Sequence, residues 1–179
     1  MKKNSANKEL SRGSQPSLAT NTKWTYAPAP ESADHIQLKD RYDLFINGKF
    51  TAPASKKYFD TINPATEKRI ASIAEANATD VDKAVTAAKN AQSKVWSKLA
   101  PAERGKYIYR IARILQEKAR ELAIIETING GKPIRESRDI DIPLAAAHFF
   151  YYAGWADKLD YAFPGMKTSP VGVTGQIIP

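Results

Sequence analysis

The 179-residue chain contains no cysteine. That excludes a disulfide framework and any cysteine-based metal site. Histidine is nearly as scarce: His35 and His148 are the only two, too few and too far apart for a zinc cluster. No apolar run approaches the roughly 18 residues of a membrane span. The N-terminus lacks the apolar stretch of a secretory signal, and its single Arg does not suit a mitochondrial presequence. The sequence thus reads as soluble and cytoplasmic, with no membrane partner.

What is abundant is positive charge. The formal net charge is +8, with 27 Lys and Arg against 19 Asp and Glu. Half of that surplus lies in residues 1–23, where Lys2, Lys3, Lys8, Arg12 and Lys23 face only Glu9. A basic leader of this kind can meet nucleic acid or an anionic surface. Its polarity reads more simply as a solvated tail that buries too little to fold. Residues 1–41 are therefore expected to be a disordered basic tail, ending in the Pro-rich Ala27-Pro28-Ala29-Pro30. Trp24 and Tyr26 would seek a surface to lie on.

Order is expected from Tyr42. Leu44-Phe45-Ile46, then Asn47-Gly48, then Lys49-Phe50 is a β-hairpin pattern, because Asn-Gly accepts the positive φ angles of a type I′ turn. Tyr58–Ile62 and Arg69–Ala74 read as two further strands around an Asn63-Pro64-Ala65-Thr66 turn. Thr79 is expected to cap a helix with Asp82 three residues on. Val81, Ala84, Val85 and Ala88 then share one face. A second helix should start at Pro101, its core stripe formed by Ile108, Ile111, Leu115, Leu122 and Ile125, with Gly130-Gly131 as the stop. A third helical region should run from Ile134 to Leu159, divided or kinked by Pro143. Its expected buried stripe is Leu144, Ala147, Tyr151 and Trp155, with the aromatic run Phe149–Tyr152 read as core. Pro164-Gly165 is a turn. Val171–Ile178 is apolar on both faces, as in a strand of a parallel α/β sheet.

Six blocks, in order, resemble the N-terminal third of the aldehyde dehydrogenase family. They are Leu44–Gly48, Ile62–Thr66, Asp80–Ala88, Glu126–Pro133, Tyr152–Lys158 and Pro170–Pro179. The likeness covers residues 42–179 and leaves 1–41 outside. It implies an α/β fold: the N-terminal part of an aldehyde dehydrogenase-like domain, with β-hairpin and strands, a helical segment and the first strand of a Rossmann-like sheet, incomplete within these residues.

The family oxidises aldehydes to acids with NAD or NADP. A cysteine thiolate attacks the carbonyl, hydride passes to the nicotinamide, and a water activated by a glutamate hydrolyses the thioester. The family motif continues after Ile-Ile-Pro with Trp-Asn-Phe-Pro, whose Asn helps hold the oxyanion. This chain ends at Pro179 and has no catalytic residue to assign. By itself it is expected to be inactive. Glu126, on a helix, reads as a solvated or hydrogen-bonded residue rather than the base.

By position, the resemblance implies cofactor contact by the backbone of Ile177, Ile178 and Pro179, and an aldehyde tunnel lined by Ile140 and Leu144. It also implies a monovalent cation between the Ile62 carbonyl and position 129. Asn129 stands there in place of an aspartate and offers an oxygen but no charge. The family assembles as homo-oligomers through a β-ribbon, and the linker from Lys158 to Pro170 is short for that purpose. The alternative to an enzyme part is a non-catalytic fragment that docks on a full-length or split aldehyde dehydrogenase. A nucleic-acid-binding module fits least, since the charge lies in a tail and no reading motif is present.

Overall fold

A computed structural model describes residues 32–178. The basic leader, Trp24, Tyr26 and Pro179 lie outside those residues.

Three short strands make one sheet, in the order β1 (Arg41–Tyr42), β5 (Arg69–Ala74), β4 (Tyr58–Ile62). β4 and β5 run antiparallel, with Phe59 opposite Ile73 and Asp60 opposite Ser72. β1 lies parallel to β5, with Tyr42 opposite Ile73. The expected hairpin forms from β2 (Leu44–Ile46) and β3 (Lys49–Thr51). Asn47 and Gly48 take φ values of 53° and 76°, as a type I′ turn requires.

β1 has only two residues and no alternation to announce it. Besides its ladder with β5, it is secured through the preceding Asp40 by one guanidinium. Arg69 donates from Nη1 to the Asp40 carboxylate at 2.7 Å, from Nη2 to the Asp40 carbonyl at 3.1 Å, and from Nε to Asp60 at 2.9 Å. Ser72 completes the fork, accepting from Arg69 Nη2 and donating to Asp60 at 2.6 Å.

The Arg69 hydrogen bond holds the Asp40 carboxyl below the usual carboxylate range. Asp60 is lowered first by the Ser72 hydroxyl and then by Arg69. Depressed folded values mean that this contribution is complete above about pH 3.9, the unfolded Asp value, and is lost as pH falls through the lower folded values. Arg69→Met should therefore flatten the acid limb of stability. Urea midpoints between about pH 2 and 5 at low salt would show it. Equal acid slopes in the variant and the parent would refute the link.

Helix α1 (Ala78–Lys94) has its cap two residues before the expected one. Asn77, not Thr79, is the cap: its Oδ1 accepts from Asp80 N at 3.2 Å, while Asp80 Oδ2 accepts from Asn77 N at 3.3 Å. Asp80 wins this place because its carboxylate also accepts from Ala54 N at 3.0 and 3.1 Å. One acid thus serves both the helix start and the loop after β3. Of the expected apolar face, Val81 and Val85 are exposed, and Ala84 and Ala88 are half-buried.

After a 3-10 turn (Trp96–Lys98), α2 (Pro101–Glu117) and α3 (Ala119–Gly130) replace the single expected helix. The break is at Lys118, whose backbone leaves the helical region at φ −101°, ψ 13°. Ile108, Leu115, Leu122 and Ile125 are half-buried, and Ile111 is exposed. The deepest positions are smaller neighbours, Gly105, Ala112 and Ala123, together with Ile124.

The same preference for small residues governs α5 (Ile142–Trp155), which packs along α2. Its buried residues are Ala146 and Ala153. The expected stripe of Leu144, Ala147, Tyr151 and Trp155 is exposed instead. Of the aromatic run only Phe150 is half-buried, its ring edge-on to Tyr109 at 4.9 Å. The reason is steric. Helix axes approach closely only where side chains are small, so the alanine face takes α2 and the aromatic face turns away.

Pro143 does not break the helical region. Between α4 (Ile134–Glu136) and α5 the chain makes a π turn, Ser137–Asp141. Ile142 N donates to Ser137 O, five residues back. The widened turn accommodates Pro143, which lacks an N–H and would crowd the carbonyl four residues earlier in a regular helix. α6 (Leu159–Ala162) follows, and the turn at Pro164-Gly165 forms as expected.

The expected strand over Val171–Ile178 is not formed. That segment is irregular, with Val171, Ile177 and Ile178 exposed. A strand exists only where a neighbour supplies hydrogen bonds, and none among the described residues lies beside it.

Candidate functional site

The residues singled out by the sequence fall in three places. The first is the junction of the β4–β5 turn with the end of α3. The turn is wound around Asn63: its carbonyl accepts from Thr66 N at 3.3 Å and Glu67 N at 2.8 Å, and its Oδ1 accepts from Ala65 N at 2.9 Å. Pro64 rests on Gly131, where a Cβ would come within 3.1 Å of the proline ring. Gly131 also closes α3 with φ 72°, the left-handed cap geometry that glycine adopts without strain. Beside this contact Thr61 Oγ1 donates to Asn129 Oδ1 at 2.7 Å, across 68 residues of sequence. That hydrogen bond puts Asn129 beside Thr61, one residue before Ile62.

The second place is the π turn. Ser137, fully buried at its start, accepts from the Thr127 hydroxyl at 3.1 Å. Asp141, at its end, accepts from Lys132 Nζ at 2.6 Å. That hydrogen bond raises the Lys132 pKa above the ordinary lysine value. Both ends of the turn are thereby tied to the α3 terminus and the residues just after it. Ile140 and Leu144, one helical turn apart, are 56% and 52% exposed. Leu144 shares its face of α5 with Tyr151 and Trp155, whose rings lie 6.2 Å apart. This is one apolar wall. The described residues put no second wall opposite it, so no tunnel is enclosed.

The third place is the C-terminal segment. Ile177 and Ile178 are 97% and 78% exposed, and Pro179 lies outside the described residues. An unpaired extended segment is no cradle for a dinucleotide, whose binding requires fixed backbone donors and a closely packed turn. These residues alone do not fit the group. Among the described residues, no cluster of three or more His, Cys, Asp or Glu could hold a metal ion. Nor is any helix of the described residues long and apolar enough to cross a membrane.

Sequence reasoning missed Thr61, the Lys132–Asp141 pair and the buried Asp80. Spacing could not have paired Lys132 with Asp141 or Thr61 with Asn129, since each joins separate elements. Asp80 alone carried a signal: Asn77 stands three residues before it, the spacing of a capping box.

The model of the aldehyde dehydrogenase family matches residues 50–179. The chain is 45% identical over 145 residues to the protein DhaS of Bacillus subtilis, covering 76% of this chain and 29% of that one. It is 40% identical over 144 residues to an aldehyde dehydrogenase of Alternaria alternata, with the same two coverages. The fold is similar to that of an aldehyde dehydrogenase from Bacillus cereus solved as its NAD+ complex, with TM-score 0.65 and 38% identity over 69% of this chain and 27% of that one. The chain spans about three-tenths of the length of the curated relatives it matches. With the family model covering more than half of its residues and solved relatives sharing its partial α/β fold, the chain belongs to the aldehyde dehydrogenase family.

Proposed function

We propose that residues 42–179 are the leading part of the cofactor-binding domain of an NAD(P)-dependent aldehyde dehydrogenase, and that these 179 residues alone oxidise nothing. The family match over residues 50–179 carries the first half of this reading. The absence of any cysteine among the 179 residues carries the second.

Oxidising an aldehyde in this way requires a sulfur nucleophile, donors for the developing oxyanion and a base for hydrolysis. The sulfur has to come from residues outside these 179. The cofactor supplies a hydride acceptor, and its site has to be completed by the same outside residues. What this chain contributes is position: Ile140 and Leu144 offer one apolar side of an aldehyde passage, held in place by the pinned π turn. Ile177, Ile178 and Pro179 would present backbone to the cofactor once paired within a sheet.

Mixing the 179-residue chain with an aldehyde and NAD+ or NADP+ tests the reading, with nicotinamide absorbance as the signal. No reduced nicotinamide is expected from this chain alone. Activity is expected when a cysteine-bearing remainder of a relative is joined or added, and is lost when that cysteine becomes alanine. Turnover by the 179 residues alone would overturn the proposal.

The exposed Leu144–Tyr151–Trp155 face favours a second form of the same reading, in which the chain docks on a separately encoded remainder. Co-purification with such a chain, abolished by Tyr151→Asp, would favour docking over covalent continuity.

A further inference from the structure

The junction between the β4–β5 turn and α3 is where the resemblance implies a monovalent cation. We propose that the Thr61–Asn129 hydrogen bond takes the ion's place there, so that the chain fastens this junction without Na+ or K+. The proposal stands whether or not the chain ever takes part in catalysis.

Three observations carry it. First, Asn129 stands where the resemblance implies an aspartate, so it offers a monovalent ion no formal negative charge. Second, the amide oxygen that would face the ion already accepts from the Thr61 hydroxyl at 2.7 Å. Third, the junction has its own packing. Pro64 lies against Gly131 closely enough that a Cβ there would meet the ring at 3.1 Å, so no bridging ion is required to hold the turn.

Glu126 is the nearby acid to weigh. Its Oε1 is 3.5 Å from where a Cβ on Gly130 would stand. Its charge acts on the Lys132 ammonium, which Asp141 and Glu136 also stabilise. The carboxylates of this corner thus act on Lys132, and Asp141 pairs with it directly at 2.6 Å.

The test compares unfolding of the parent chain, Asn129→Asp and Thr61→Val at neutral pH. Each is melted in sodium, potassium or choline chloride at equal ionic strength. The parent Tm is expected to be the same in all three salts. Thr61→Val should lower Tm by about 2–4 °C, equally in every salt. Asn129→Asp should acquire an ion dependence, its Tm rising by a few degrees when sodium or potassium replaces choline. If a protein aggregates before it melts, broadening of the sodium NMR line reads the same binding.

A parent chain stabilised by sodium or potassium over choline would overturn the proposal. So would an Asn129→Asp variant indifferent to the ion, because the position would then not be an ion's place. A harmless Thr61→Val would overturn it too, since the hydrogen bond would be fastening nothing.

Discussion

Asp80→Ala is expected to lower stability by about 3 kcal/mol, which for a chain of this size is a fall in Tm of roughly 6–12 °C. Asp80 is 3% exposed and both of its carboxylate oxygens are hydrogen-bonded. Both oxygens accept from Ala54 N, and Oδ2 also accepts from Asn77 N. Lys83 Nζ stands 3.9 Å away and adds some attraction. Alanine would leave two backbone donors without a partner in a part-buried site, and that desolvation penalty dominates the loss. It would also remove half of the capping box and the negative charge at the positive end of α1.

Asp80→Asn keeps an acceptor oxygen and should lose about half as much. Asn77→Ala should cost about 1 kcal/mol, the ordinary loss of an N-cap. Urea unfolding of the three variants would rank them. An Asp80→Ala protein within 1 kcal/mol of the parent would mean that the Ala54 loop finds water in place of the carboxylate.

Gly105→Val is the second large effect, again about 3 kcal/mol, by a different route. Gly105 lies on α2 where it crosses α5. A Cβ there would stand 3.0 Å from the Ala153 carbonyl oxygen and 3.4 Å from Ala156 Cβ. The first neighbour is backbone inside a helix and cannot rotate aside. Relief must come from moving the helices apart, which opens the Ala112, Ala146 and Ala153 contact along with it. Gly105→Ala gains helix propensity of about 1 kcal/mol and loses it to the same clash, so it should fall between parent and valine. Trimming Ala156 to glycine relieves only the 3.4 Å contact and should rescue Gly105→Val little. Full rescue by Ala156→Gly would show that the carbonyl contact is not the limiting one.

The two sites illustrate what the sequence discloses and what it conceals. Local chemistry was legible. Asn47-Gly48 announced its hairpin, Asn63-Pro64 its turn and Gly130-Gly131 its helix stop, because each is decided by φ preferences within a few residues. Strands β4 and β5 were legible from their short apolar runs and the turn between them. The two-residue β1 was not, since the Asp40 before it is tied to Arg69, 29 residues on.

Faces were read less well than elements. In α5 the large side chains were assigned inward on the ground that aromatics bury the most area. A helix apolar all round gives no such instruction, because every face is a candidate for burial. Close packing decided the matter, and it selected alanine. The Thr79 reading failed differently: a serviceable cap was chosen over a better one, because the Ala54 contact that favours Asp80 is 26 residues distant. Of the site positions, Asn129 meets Thr61, one residue before Ile62, through a single hydrogen bond. Ile140 and Leu144 are both exposed, Ile140 within the π turn and Leu144 in the first turn of α5.

The π turn at Ser137–Asp141 acts on the helix beyond it as a phase shift acts on a wave. One extra residue in the winding advances every later side chain by about 100° relative to those of α4. Deleting a residue inside the turn would return α5 to step with α4 and swing its alanines off α2. Pro143 would then meet a regular helix that has no room for its ring. The inserted residue is therefore the one that cannot be lost alone: its deletion would both crowd the proline and turn the wrong side of the helix toward its partner.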